Sequence, residues 1–222
     1  MATIYNPNIV TDNLVFCLDA ANTKSYPGSG TTWTELSGKG TNGTLTNGAT
    51  FDSADGGSIV FDGTNDSVAL GSDMFNPNAD FTISSWIKID TLSGTNSHTI
   101  VSTLGNTGSF QLRYKNGTGL QVVDSWIVDV GAFSNSETLS IGTWYNITVT
   151  RSSNTYTYYL NGSSVSSFSS TNTYDRGPMT IGINYAGTNV FDGKIAQVHV
   201  YNKALTAAEV LQNYNAYKGR YM

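Results

Sequence analysis

Only three of the 16 acidic residues are glutamates: Glu35, Glu137 and Glu209. Cleavage of a glycosidic bond with retention needs two carboxyl groups about 5 Å apart. On a strand, residues two apart share a face, so such a pair would appear at that spacing. None of the three glutamates has an acidic residue two positions away. Glu35 belongs to a loop segment and Glu209 to a helix cap. Asp124 and Asp129 flank Trp126, but their odd offset puts them on opposite faces of a regular strand. No catalytic residue is expected, and the chain is expected not to be an enzyme. Cys17 is the only cysteine, which excludes an internal disulfide, and it lies in the apolar run Leu14–Leu18. It reads as a small buried hydrophobe. His98 and His199 have no motif around them that would make either a partner for a thiol nucleophile.

Two other kinds of site are written in the loops. Asp62, Asn65 and Asp66 gather around one turn, and Asp192 stands in a second Asp-Gly pair. Carboxylates with backbone carbonyls are calcium ligands, so calcium is the one cofactor these residues suggest. The spacing is not that of an EF-hand loop. Asp and Asn also form turns with their own side chains, which is the competing reading. Sugar binding uses aromatic faces against the ring, with amides and hydroxyls on its oxygens. Tyr114, Trp126 and Tyr185 are the candidates, with Asn184, and Asn116 beside Tyr114, in turns. Tyr and Trp are also enriched in protein interfaces. Trp33, Trp86 and Trp144 are expected in the core or in structural motifs.

The elements that must carry these residues are short strands. Charged residues make up 12% of the 222 residues, about half the usual share, and Asn, Ser, Thr, Gly and Tyr replace them. The net charge is −5 with no basic run, so no nucleic-acid partner is expected. No stretch approaches the roughly 18 apolar residues of a membrane span. Strand-like runs occur at Leu14–Asp19, Ser58–Phe61, Phe81–Ile89, Thr99–Leu104, Phe110–Tyr114, Leu120–Val130, Trp144–Thr150, Tyr156–Leu160, Met179–Ile183 and Lys194–Tyr201. Between them stand Asn-Gly and Asp-Gly pairs, which favour tight hairpin turns, at 42, 47, 62, 116, 161 and 192. Strict alternation puts Phe81, Ile83, Ser85, Ile87 and Ile89 on one face, with Trp86 on the other. The same rule puts Ile195, Gln197, His199 and Tyr201 opposite Ala196, Val198 and Val200. Thr206-Ala207-Ala208-Glu209 is a capping box that opens a helix over 206–217, stopping at Gly219. The expected fold is an all-β, two-sheet antiparallel jelly-roll sandwich with one short C-terminal helix. Residues 1–12 are expected as an N-terminal arm, and 13–222 as the one domain.

Five segments in order resemble laminin-G-like domains of the concanavalin A-like lectin and glucanase superfamily. They are Leu14–Ala20, Trp33–Leu45, Ser58–Val68, Phe81–Ile89 and Phe191–Thr206. The resemblance covers about residues 13–217. It implies a jelly roll whose relatives commonly bind glycans or proteins and often hold one calcium. The closing segment of such domains often carries an acidic pair where this chain has Ala196-Gln197. Versions rich in Asn, Gly and Thr resemble structural proteins of tailed bacteriophages. The chain starts Met1-Ala2-Thr3-Ile4-Tyr5-Asn6, without the basic and apolar regions of a secretory signal. The expectation is therefore a virion protein made in host cytoplasm: a capsid decoration, neck or tail appendage. Its expected partners are other virion proteins, further copies of itself as a homo-oligomer, and bacterial surface glycans. A cellular lectin is the alternative, and a glycoside hydrolase the third reading.

Overall fold

The structure is a computed structural model that describes residues 8–92, 97–105, 108–124 and 138–222, with the backbone alone for Asp124. The described strands are β1 (Leu14–Asp19), β2 (Thr32–Trp33), β3 (Gly43–Thr46), β4 (Thr50–Asp52), β5 (Ser58–Asp62), β6 (Ser67–Leu70), β7 (Phe81–Ile89), β8 (Ser97–Thr103), β9 (Phe110–Lys115), β10 (Gly119–Asp124), β11 (Trp144–Ser152), β12 (Thr155–Leu160), β13 (Ser163–Ser169), β14 (Met179–Ile181) and β15 (Asp192–Tyr201). One helix, α1 (Ala207–Tyr221), follows them. The first sheet has the order β13-β12-β11-β7-β15-β5-β4, with β1 also on β15. The second has the order β10-β9-β8-β14-β6-β3-β2. Neighbouring strands pair antiparallel in both. This is the expected all-β sandwich with a C-terminal helix.

The core fills the space between the sheets. Phe81, Ile83, Ile87 and Ile89 of β7 point into it, as alternation requires. Phe75, Phe81 and Phe110 meet there edge to face at 5.1–5.5 Å, the arrangement their ring quadrupoles prefer. Trp86 points to the other side of β7, yet it is also buried. Helix α1 lies over that side and makes a separate cluster with Trp86, Trp144 and Ala196. Cys17 is buried as expected, and burial pushes its thiol up to about 12. Trp33 and Trp144 are buried too. Among the described residues no helix is long and apolar enough to cross a membrane.

Three local expectations are corrected. In β15 the register slips at Ala196, between Ile195 opposite Ile87 and Gln197 opposite Trp86. This bulge reverses the phase, so Ile195 joins Val198 and Val200 in the core while Ala196 lies under α1. Asp192-Gly193 is no turn; it opens β15. A Cβ at Gly193 would stand 2.1 Å from the Lys88 carbonyl oxygen, so only glycine lets β7 come this close. Helix α1 passes Gly219 and reaches Tyr221, because its last turn is anchored from outside. Arg220 Nη1 donates to both Asp19 oxygens at 3.0 and 2.9 Å, and the Tyr221 ring stacks on Trp86 at 4.4 Å. The start of the helix is as expected, with the Thr206–Glu209 capping box present. Asn161-Gly162 is the expected hairpin turn, with φ of 51° and 78° between β12 and β13.

Residues 8–12 pack on their own domain. The Val10 N–H donates to Asn213 Oδ1, and Tyr201 donates its hydroxyl proton to the Val10 carbonyl. The rest of the expected arm lies outside the described residues.

Glu35 holds the segment after β2 together. Its Oε1 accepts from the Cys17 and Ser37 N–H groups at 2.8 and 2.6 Å. Its Oε2 accepts from those of Gly38 and Gly40 at 2.9 and 3.4 Å. One carboxylate thus satisfies four backbone donors. Replacing Glu35 by Gln turns one of these acceptors into a donor facing N–H groups. A loss of about 1–3 kcal/mol is expected, measured by urea denaturation. An unchanged midpoint would show that the loop stands without this anchor.

Candidate functional site

A polar cleft of about 210 Å³ opens at one end of the sandwich. Three separate stretches build it: Gly63 after β5, Thr91 after β7 with Ser97 and His98 opening β8 of the second sheet, and Thr188 to Asp192 leading into β15. Strand β15 runs antiparallel to both β5 and β7. Its first residue therefore emerges where theirs end, which is why residues so far apart in sequence meet.

Asp192 is the centre of this arrangement. Its backbone pairs with Asp62, its Oδ2 accepts the Thr91 hydroxyl proton at 2.5 Å, and its N–H donates to His98 Nδ1 at 3.3 Å. His98 is buried, with its ring edge-on to Phe191 at 5.8 Å. Burial holds its imidazole below the ordinary pKa, against the pull of the Asp192 carboxylate. The neutral ring accepts at Nδ1, so its proton sits on Nε2.

The far wall is a loop folded around Asn184. Its Oδ1 accepts from the Thr188 and Asn189 N–H groups at 2.8 and 3.0 Å, and its Nδ2 donates to Thr188 Oγ1 at 3.2 Å. Asn184 is buried, so it positions Thr188 and Asn189 and does not itself face a ligand. Tyr185, next to it, is 42% exposed.

Tyr114 is 1% exposed, because it continues the inward row of Phe110 and Leu112 on β9. Its hydroxyl accepts from the Leu139 N–H at 3.1 Å, and no ring face is open to a sugar. Trp126 lies outside the described residues. Asn116 donates to the Leu92 carbonyl at 2.8 Å. Asp62 Oδ1 accepts from the Thr64 N–H, and Asp66 Oδ2 from the Asp62 N–H. Asn65 is exposed, and its carbonyl accepts from Asn47. Asp66 is buried with no partner for Oδ1, and burial raises its pKa. These are turn-forming roles. Among the described residues no three His, Cys, Asp or Glu side chains come together as a metal site.

A family model described as the concanavalin A-like lectin/glucanases superfamily matches residues 62–211, more than half of the chain. The chain belongs to this superfamily. Every residue lining the cleft falls inside the matched stretch. No curated protein matches the chain by sequence. Among solved structures it is similar to Trypanosoma rangeli sialidase, with a TM-score of 0.68 and 14% identity over 94% of this chain. It spans 33% of that enzyme, about a third of its length. It is also similar to domain 4 of AbnA, an extracellular arabinanase from Geobacillus stearothermophilus, solved with arabinotriose. That TM-score is 0.68 at 15% identity, covering 91% of this chain and 98% of that one. The binding domain of botulinum neurotoxin serotype D gives 0.66 at 14% identity, covering 92% and 52%. At these identities the likenesses show the fold.

The lining of this superfamily member suits a hydroxyl-rich ligand. Thr91, Ser97 and Thr188 bear hydroxyls, Asn189 an amide and Asp192 a carboxylate. Together they donate and accept, as each sugar hydroxyl does. Sequence reasoning missed Thr91, Ser97, His98, Thr188 and Asn189. The nearest signal was Asn184-Tyr185, a few residues ahead of the wall that Asn184 folds.

Proposed function

We propose that this chain is a non-enzymatic carbohydrate-binding module that takes the end of a glycan in the Asp192 cleft. The convergence of polar side chains from two distant stretches, residues 91–98 and 188–192, on one open cleft carries the reading. Superfamily membership supports it, and so does the arabinotriose in the structure of the similar AbnA domain. Exposed Tyr185, on the loop that forms the far wall, is placed to add an aromatic contact beyond the cleft. The absence of enzymatic chemistry is supported by two glutamates with structural work. Glu35 accepts four backbone N–H groups, and Glu209 caps α1 and pairs with Lys203.

The module belongs on a virion of a tailed bacteriophage, as an assembly and surface protein with affinity for host glycans. Its motif resemblance and its hydroxyl- and amide-rich, charge-poor composition support this. Mass spectrometry of purified particles tests it: the chain must be present in a fixed copy number, and its absence there would leave a cellular lectin.

Glycan binding is tested on a panel of bacterial surface polysaccharides, with calcium and again with chelator. Saturable binding is expected under both conditions. Dependence on calcium would instead bring the Asp62–Asp66 turn into the site. Asn189→Ala is expected to weaken binding about tenfold, the worth of a lost hydrogen bond to the ligand, with the melting temperature unchanged. Full affinity in that variant would move the site away from the cleft.

A further inference from the structure

We infer that the cleft selects uncharged or amine-bearing sugars and rejects carboxylated ones. The inference rests on the glycan reading of this cleft and names the class of sugar that it admits.

Asp192 is the one ionised side chain that lines the cleft among the described residues. Its Oδ2 is held by Thr91, and Oδ1 receives no hydrogen bond among the described residues, so half the carboxylate is left to meet a ligand. Two more carboxylates flank it. Asp62 precedes Gly63 of the lining and pairs with Asp192 across the sheet. Asp90 donates its backbone N–H to the Asp192 carbonyl, and its charge is met by Lys194. Neither lysine or arginine is part of the lining. The nearby lysines of β7 and β15 are already paired, Lys88 with Asp55 and Lys194 with Asp52. Lys115 stands opposite Ser97 across β8 and β9 but is not part of the lining. His98 reaches the cleft as a neutral ring, since burial disfavours its charge.

A carboxylated sugar entering here would bring a second negative charge within a few ångströms of Asp192, with no cation to answer it. A sugar hydroxyl can donate to the open oxygen of Asp192, and an ammonium can do so with charge assistance.

The test compares matched oligosaccharides with the full-length chain by isothermal titration calorimetry at low salt. Lactose is set against sialyllactose, and glucose oligomers against glucuronate- and glucosamine-containing ones. In each pair that binds, the neutral member is expected to bind at least about tenfold more tightly than the acidic one, with the amino sugar equal or tighter. The difference should shrink as salt is added. Asp192→Asn keeps the shape and an acceptor for Thr91, and should bring neutral and acidic members within about threefold of each other. Its melting curve checks that the fold is kept. An acidic sugar that binds the unaltered chain as well as its neutral partner overturns the inference while leaving the glycan reading in place. Discrimination that survives Asp192→Asn in a folded variant also overturns it. Silence from every sugar overturns the glycan reading, and the inference with it.

Discussion

Acidifying the protein from pH 7 to pH 4 is expected to remove about 3 kcal/mol of stability through His199 alone. His199 is 3% exposed on β15, beneath the Tyr217 ring of α1 at 5.6 Å. Its Nε2 is buried without a hydrogen-bond partner. Burial drives its pKa from 6.5 down to about 4, with Asp19 pulling it up and Arg220 pushing it down. The folded state therefore keeps the ring neutral, while in the unfolded chain it takes a proton near its ordinary value. Between those two pKa values the unfolded state binds more protons, so stability falls as pH falls. The contribution is fully present above about pH 6.5 and is lost progressively down to about pH 4.

About 2 kcal/mol of this should be gone by pH 5, before most carboxylates titrate. Urea denaturation at pH 7, 6 and 5 measures it. His199→Gln removes the titration and should flatten the curve over that range. A small slope of the same sign should remain from His98, whose pKa burial also lowers. Equal slopes in variant and unaltered protein would mean that His199 is not the group that titrates.

The strands that were legible in sequence were those long enough to show a period. Phe81–Ile89 was read with the same ends that the structure gives β7, because four apolar residues at alternate positions, from its first residue to its last, face the core. The Thr206 cap was legible because a capping box is local chemistry. Strands β2, β3 and β4 were not, since two to four residues show no period, and partners elsewhere define them. The bulge at Ala196 was also invisible, because a slip of one residue leaves the composition of a strand unchanged. Tyr114 is a different case. Phe110, Leu112 and Tyr114 form an inward row at a spacing of two, so its burial was readable and was missed. The cleft is the hardest part. Gly63, Thr91 and Asp192 meet because β5, β15 and β7 lie side by side, and His98 joins them from β8 of the second sheet; no local pattern reports either placement.

Trp86→Ala is expected to cost about 3–5 kcal/mol, the largest effect of any single substitution considered for this chain. Trp86 stacks on Tyr221 at 4.4 Å and on Tyr214 at 5.7 Å, and Trp144 tilts onto Tyr221 at 4.8 Å. These rings grip α1 along its C-terminal half, over a patch of the first sheet that also holds Ser84, Asn146, Gln197 and His199, while Val210 packs with Tyr159 and Tyr201 nearer its start. Truncation to alanine would leave a ring-sized void between helix and sheet. Trp86→Phe keeps a stacked ring and removes an indole N–H that is buried without a partner. It should therefore cost no more than about 1–2 kcal/mol. Amide hydrogen exchange should localise the alanine effect, with protection lost first across Ala207–Tyr221. A loss below about 1 kcal/mol in Trp86→Ala would show that Val210 and the ion pair of Arg220 with Asp19 hold the helix in place of the stack. The cleft is formed by the first residue of β15, while α1 covers Ala196 and Gln197 further along the strand. The folded fraction of Trp86→Ala should therefore still bind glycan with unaltered affinity, which would separate the helix that stabilises the sandwich from the end of the sandwich proposed to take the ligand.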